Sequence, residues 1–198
     1  MLLAVFYGLA YSVSMKTMTT VALACLTCIG MANAKAPAAQ IQAIKEVYQK
    51  TNALIAATEK SAEAAKASPV SVDHYITNAL NRSWEGVGNY KVTYKFYYTH
   101  DAPSGENHLL KISQVTESAA RKYHEEFYYN STGQLVFYYQ KTNDTEQPKE
   151  RRIYFHKGKA IRLIDDQFSR DGYTDGDREM VGKIRQREKV LKLKFTSR

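Results

Sequence analysis

Cysteine is nearly absent from this 198-residue chain: Cys25 and Cys28 are its only two, and both fall in the first 34 residues. If that stretch is removed, the rest has no disulfide, no thiolate metal site and no cysteine nucleophile. Very small secreted domains usually depend on disulfides. Residues 35–198 must be held together by burial alone, and a chain of that length can bury a sufficient core. Several catalytic signatures are missing as well. No H-E-x-x-H, G-x-S-x-G, S-x-x-K or phosphate-binding glycine loop occurs. The carboxylate pairs Glu125-Glu126 and Asp165-Asp166 are neighbours in sequence. In a strand, neighbours point to opposite faces, so Glu125 and Glu126 cannot easily serve one substrate. The acidic run 171–177 invites a calcium reading but lacks the D-x-D-x-D-G spacing and the later bidentate Glu. No cofactor is expected.

What the first 34 residues do contain is a pattern for export. Lys16 is their one charged side chain, Val21–Ile29 is an apolar stretch, and Ala32-Asn33-Ala34 puts small residues where signal peptidase reads. Val21–Ile29 is far shorter than the ~20 apolar residues of a spanning helix. Met15-Lys16 makes a better start than Met1, and neither cysteine sits in a good lipobox. The expectation is a cleaved signal over 1–34, one domain over 35–198 with no transmembrane segment, and a periplasmic or secreted location.

Charge is unevenly distributed. Without Lys16 the chain carries 27 Lys and Arg against 20 Asp and Glu, a formal +7, and residues 178–198 alone supply eight bases against Glu179 and Glu188. Such a segment suits an anionic partner or a solvated basic helix face. Export argues against nucleic acid as the partner.

Periodicity sets the fold class. Residues 36–67 are rich in Ala, Lys, Glu and Gln, with Ile41, Ile44, Tyr48, Leu54 and Ile55 at amphipathic-helix spacings, and Ser68-Pro69 ends the pattern. From Asn89 the period becomes two. Strands are expected at about 92–98, 109–116, 121–129, 134–141, 150–156 and 159–164, joined by short glycine-containing turns. A second helix is expected over 178–195, capped by Thr174, Asp175 or Asp177. Strands in succession without intervening helices predict an α+β fold: an N-terminal helix, an antiparallel meander of six strands, and a C-terminal helix packed on the sheet. One or both helices should cover one face.

Aromatic triplets recur at Phe96-Tyr97-Tyr98, Phe127-Tyr128-Tyr129 and Phe137-Tyr138-Tyr139, with Ile153-Tyr154-Phe155 of similar kind. Residues 127–135 and 154–161 share the order aromatics, turn, Gly, polar residue, aliphatic. Over about 121–164 the chain resembles the hairpin units of small exported bacterial proteins and, more distantly, MORN-type or YD-type aromatic hairpin repeats. The resemblance implies an architecture and a bacterial envelope setting. It carries over no catalytic residue.

Strict alternation puts Val92, Tyr94, Phe96, Tyr98, Leu110, Ile112, Phe127, Tyr129, Leu135, Phe137, Tyr139, Ile153 and Phe155 on a core face. The other face then mixes Tyr, His and charge. Its candidate ligand-binding residues are Tyr97, His124, Tyr128, Tyr138, Arg152 and Tyr154, a platform on which a sugar or peptide could lie. The same pattern also suits an ordinary solvated face or a subunit contact. The expected function is that of a non-enzymatic binding module acting on an envelope component. One alternative is a peripheral module docking on anionic envelope surfaces through Lys183, Arg185, Arg187, Lys189, Lys192 and Lys194. Another is a hydrolase whose site leaves no motif. Asn81, Asn130 and Asn143 stand in N-x-S/T sequons, which bear on a eukaryotic source only.

Overall fold

Thirteen-residue and longer stretches of alternating side chains become the long strands of one antiparallel sheet. In the computed structural model the described residues are 36–197 except 87, 120 and 145. The expected signal and the start at Met15 lie outside them. Among the described residues nine strands form: β1 (Val70–Thr77), β2 (Ser83–Trp84), β3 (Gly88–Asp101), β4 (Glu106–Ser118), β5 (Lys122–Tyr129), β6 (Leu135–Thr142), β7 (Glu150–His156), β8 (Lys159–Asp165) and β9 (Phe168–Asp171). Their spatial order is β1-β3-β4-β5-β6-β7-β8-β9, with β2 folded back on β3, so the meander is unbroken. The six expected strands are present, and β1, β2 and β9 are additional. The fold is α+β, as composition and period predict.

The first helix, α1 (Ala38–Thr58), starts directly after Pro37 and buries Ile41, Ile44, Thr51, Ile55 and Thr58, residues three, four or seven apart. The expected continuous helix over 36–67 is instead broken after Thr58. Ser61 caps a separate short helix, α2 (Ala62–Ala67), by accepting from the Ala64 N–H. The C-terminal helix, α3 (Asp175–Thr196), opens with a capping box between Thr174 and Asp177. The acids of 171–177 are spent on arginines and the cap: Asp171 accepts from Arg162 at 2.6 Å, and Asp177 pairs with Arg170. Among the described residues no three His, Cys, Asp or Glu side chains gather to hold a metal.

The helices do not share a face. Ile184, Leu191 and Phe195 of α3 pack on Phe96, Ile112, Phe127, Ile153 and Phe155, whereas Ile41 and Ile44 of α1 pack on Tyr128, Phe137 and Tyr154. The sheet is the middle of three layers. Three bulges correct the strict alternation. Leu110, Val136 and Ile161 are each an extra residue in the return strand, because Tyr97 pairs with Lys111 but Tyr98 with Leu109, Tyr128 with Phe137 but Tyr129 with Leu135, and Tyr154 with Arg162 but Phe155 with Ala160. A bulge shifts the pleat by one and exchanges the faces beyond it. Leu110, Phe137 and Tyr139 therefore lie on the α1 side rather than with the expected core, and Tyr138 and Gln140 lie on the α3 side.

The bulges of β5-β6 and β7-β8 follow their turns by one and two residue pairs, so these two hairpins are versions of one unit, whereas in β3-β4 four pairs intervene. The β7-β8 turn places Lys157 and Gly158 at φ of 48° and 77°, the two left-handed positions of a type I′ turn. In the β5-β6 turn Gly133 takes the left-handed position, and the Asn130 side chain accepts from the Thr132 and Gln134 N–H groups. Helix α3 crosses these hairpins. Arg185 donates to the Gly158 carbonyl at 3.2 Å and Lys192 to the Gly133 carbonyl at 2.9 Å. Seven helical residues rise about 10.5 Å, and two strands span roughly 9.6 Å. The rise of two helical turns thus matches the hairpin spacing.

Candidate ligand-binding trough

On the α1 face, Lys45, Tyr48, Gln49, Asn52, Ala56 and Glu59 form one stripe down a flank of the helix, and two grooves open between that stripe and the sheet. The first, about 390 Å³, has Phe137, Tyr139, Arg152 and Tyr154 on its sheet side. The second, about 420 Å³, has Thr93, Lys95, Ser113, His124 and Glu126 among its walls. His124 of the second groove and Tyr139 of the first touch edge to face, with centroids 6.4 Å apart, so the two grooves adjoin along α1 and together make a trough in two sections. From Lys45 to Glu59 it runs about 21 Å at 1.5 Å per helical residue.

The aromatic end is built on crossed rings. Tyr48 lies 5.0 Å from Tyr128 and 5.2 Å from Phe137, and Phe137 lies 5.0 Å from Tyr154. Phe137 and Tyr154 are buried and form the floor, while Tyr48 is 37% exposed. Polar groups border it. Glu150 accepts from the Tyr139 hydroxyl at 3.2 Å and pairs with Arg152. Burial and the Glu150 charge push the Tyr139 phenol up to about 12. Lys45 makes no ion pair among the described residues.

The polar end is organised by Glu126, a nearly buried carboxylate. It pairs with Lys111 at 2.6 Å, accepts from the Tyr128 hydroxyl at 2.6 Å, and faces His124 Nε2 at 3.3 Å. Burial alone would raise its pKa. The His124 hydrogen bond, the Lys111 charge and the Tyr128 hydroxyl outweigh that and hold it at about 2. Asn52 of α1 reaches into the same cluster, where its Oδ1 accepts from Lys111 at 3.2 Å and lies 3.0 Å from the Tyr128 hydroxyl as the longer branch of a shared hydrogen bond. Glu59, from the end of α1, accepts from Tyr97 at 2.9 Å and pairs with Lys95 at 3.2 Å. Tyr97, Lys111 and Tyr128 thus tie the helix to the sheet.

Ser113, His124 and Glu126 stand in line, but they are not arranged as a nucleophile relay. A relay needs the hydroxyl on one ring nitrogen and the carboxylate on the other. Here Ser113 Oγ, at 3.2 Å, and Glu126 both address Nε2.

Of the six residues expected to form the platform, five share this face: Tyr97, His124, Tyr128, Arg152 and Tyr154. Tyr138 is on the other, because the Val136 bulge inverts its strand. It is fully buried there, donating to Glu125 at 2.7 Å, with Gln140 Oε1 2.9 Å from the same hydroxyl. Tyr128 is also fully buried, beneath α1. The face is therefore not an open platform, and what remains accessible is the trough beside the helix. Lys45, Tyr48, Gln49, Asn52 and Glu59 were absent from the sequence-based set. The polar residues along one flank of the amphipathic pattern were the signal for them.

The cations expected to make a docking surface are mostly engaged within the molecule. Arg187 pairs with Glu125, Lys194 lies 4.5 Å over the Tyr94 ring, and Lys183 pairs with Glu179 at 2.8 Å. Arg185 and Lys192 hold the turn carbonyls and lie over Phe155 and Tyr129. Lys189 alone of the six has no such partner among the described residues. No helix among the described residues is long and apolar enough to cross a membrane. Compared with family models, curated proteins and solved structures, the chain finds no match.

Proposed function

We propose that this is an exported, non-enzymatic binding module of the bacterial envelope, and that the trough beside α1 takes an extended sugar chain containing acidic residues. The observation that carries this reading is the row of ring faces and hydrogen-bonding groups along α1: Tyr48 and Tyr139 at one end, His124 in the middle, Asn52, Ser113 and Glu59 towards the other. Sugars offer flat C–H faces to rings and hydroxyls to amides and carboxylates. Lys45 and Arg152 at the aromatic rim favour a carboxylate on the sugar. The export half of the reading rests on Lys16, the apolar stretch Val21–Ile29 and Ala32-Asn33-Ala34.

Calorimetric titration with a galacturonate hexamer, and with maltohexaose as its neutral counterpart, tests the reading. The hexamer should bind and maltohexaose should bind more weakly. Tyr48→Ala should lower affinity at least tenfold, and Lys45→Glu, at a side chain that makes no ion pair, should erase the preference for the acidic chain. Binding of neither probe, or binding indifferent to both substitutions, would overturn it.

A further inference from the structure

On the opposite face a larger groove, about 670 Å³, lies between α3 and the β5-β6 and β7-β8 turns. Its lining carries four cations, Lys157, Arg185, Lys189 and Lys192, against one carboxylate, Glu188. At the polar end of the trough beside α1, by contrast, Lys95 and Lys111 face Glu59 and Glu126. We propose that this groove is a second binding site, for a linear oligophosphate.

Three features support the assignment. Arg185 and Lys192 are already fixed by the Gly158 and Gly133 carbonyls, and neither of those oxygens carries a formal charge to neutralise them. A preset cation loses less side-chain freedom when an anion arrives. Lys157 and Lys189 make no ion pair or hydrogen bond among the described residues and stand ready to close on a ligand. Glu188, the one carboxylate of the lining, is 4% exposed and 4.0 Å from Arg185, and it can offset only one of the four positive charges. The spacing sets the shape of the ligand. Arg185 and Lys192 are about 10.5 Å apart along the helix, with Lys189 between them, so a single phosphate would satisfy one end only and a short chain of phosphates would span the set.

The test titrates the protein with sodium tripolyphosphate, with orthophosphate, and with vesicles rich in anionic lipid. Tripolyphosphate should bind at least tenfold more tightly than orthophosphate, and its affinity should fall between low and physiological salt. Lys157→Glu combined with Lys189→Glu should weaken it at least tenfold. Lys183→Glu, on the same helix but outside the groove, should leave it within twofold, and so should Tyr48→Ala, which separates this site from the sugar trough. Equal loss in Lys183→Glu would mean that the helix charge acts without a site, and would overturn the proposal. So would vesicle binding without tripolyphosphate binding, which would point to a membrane surface instead, or preference for a sulfated hexasaccharide over tripolyphosphate.

Discussion

The two faces of the sheet are covered by helices of nearly equal length, 21 and 22 residues, yet they are joined to the sheet differently. Under α3 the centre is dry: Phe96, Ile112, Phe127, Ile153, Phe155 and Leu163 have no exposed surface. The charges of α3 work at the margins, on turn carbonyls, on Glu125 and on rings. Under α1 the centre is polar, with Glu126, Lys111, Tyr128 and Asn52 bonded to one another and apolar residues placed to either side. Dry burial supplies stability in proportion to area. A buried ion pair supplies little net stability but penalises any misplacement of its partners. The α3 face thus holds the sheet together, and the α1 face fixes where the helix lies and leaves open space beside it.

The largest effect should come from the dry face. Phe127→Ala should cost about 3–5 kcal/mol in urea unfolding, whereas Tyr48→Ala, half open to solvent, should cost roughly 1–2 kcal/mol. Equal losses would break the distinction between the faces. Next, Lys111→Met should cost about 3 kcal/mol because it strands the Glu126 carboxylate, and adding Glu126→Leu should recover most of it; a thermal-unfolding double-mutant cycle reads this directly. The pH dependence sharpens the contrast. The Glu126 carboxyl is held at about 2 against a model-compound 4.5, so its contribution is present above the higher value and lost as pH falls towards the lower. Stability measured from pH 6 to pH 2 should fall less steeply in Glu126→Gln. A residual slope is expected from Asp177, also held at about 2, chiefly by Arg170. Smallest is Thr174→Ala, which removes half of the α3 capping box and should cost about 1 kcal/mol, visible as faster amide exchange in the first turn.

Most of the architecture could be read from the chain because period two persists through long, half-buried strands and Gly-containing turns separate them. β1 was hidden: its Val72, Tyr75 and Ile76 are 39–45% exposed, so no apolar face distinguishes it from a loop. β9 is four residues long, with charged Arg170 and Asp171. The site was half readable. Tyr97, His124, Tyr128, Arg152 and Tyr154 alternate as expected, but Leu110, Val136 and Ile161 bulge without any residue type that announces it, and Tyr138 changes sides as a result. That α1 would lie over this face, rather than beside α3, depends on partners distant in sequence, such as Asn52 with Tyr128 and Glu59 with Tyr97. A pattern within a single segment does not contain those pairings.

The match between two turns of helix and the hairpin spacing has a consequence for how such a molecule can grow. Duplicating a hairpin adds two strands to the sheet, and the covering helix keeps pace by gaining seven residues, with one further cation to hold the new turn. Sheet width and helix length are then a single inherited quantity. A hairpin gained without its two turns of helix would leave its own counterparts of Phe155 and Tyr129 without the cation that covers those rings here.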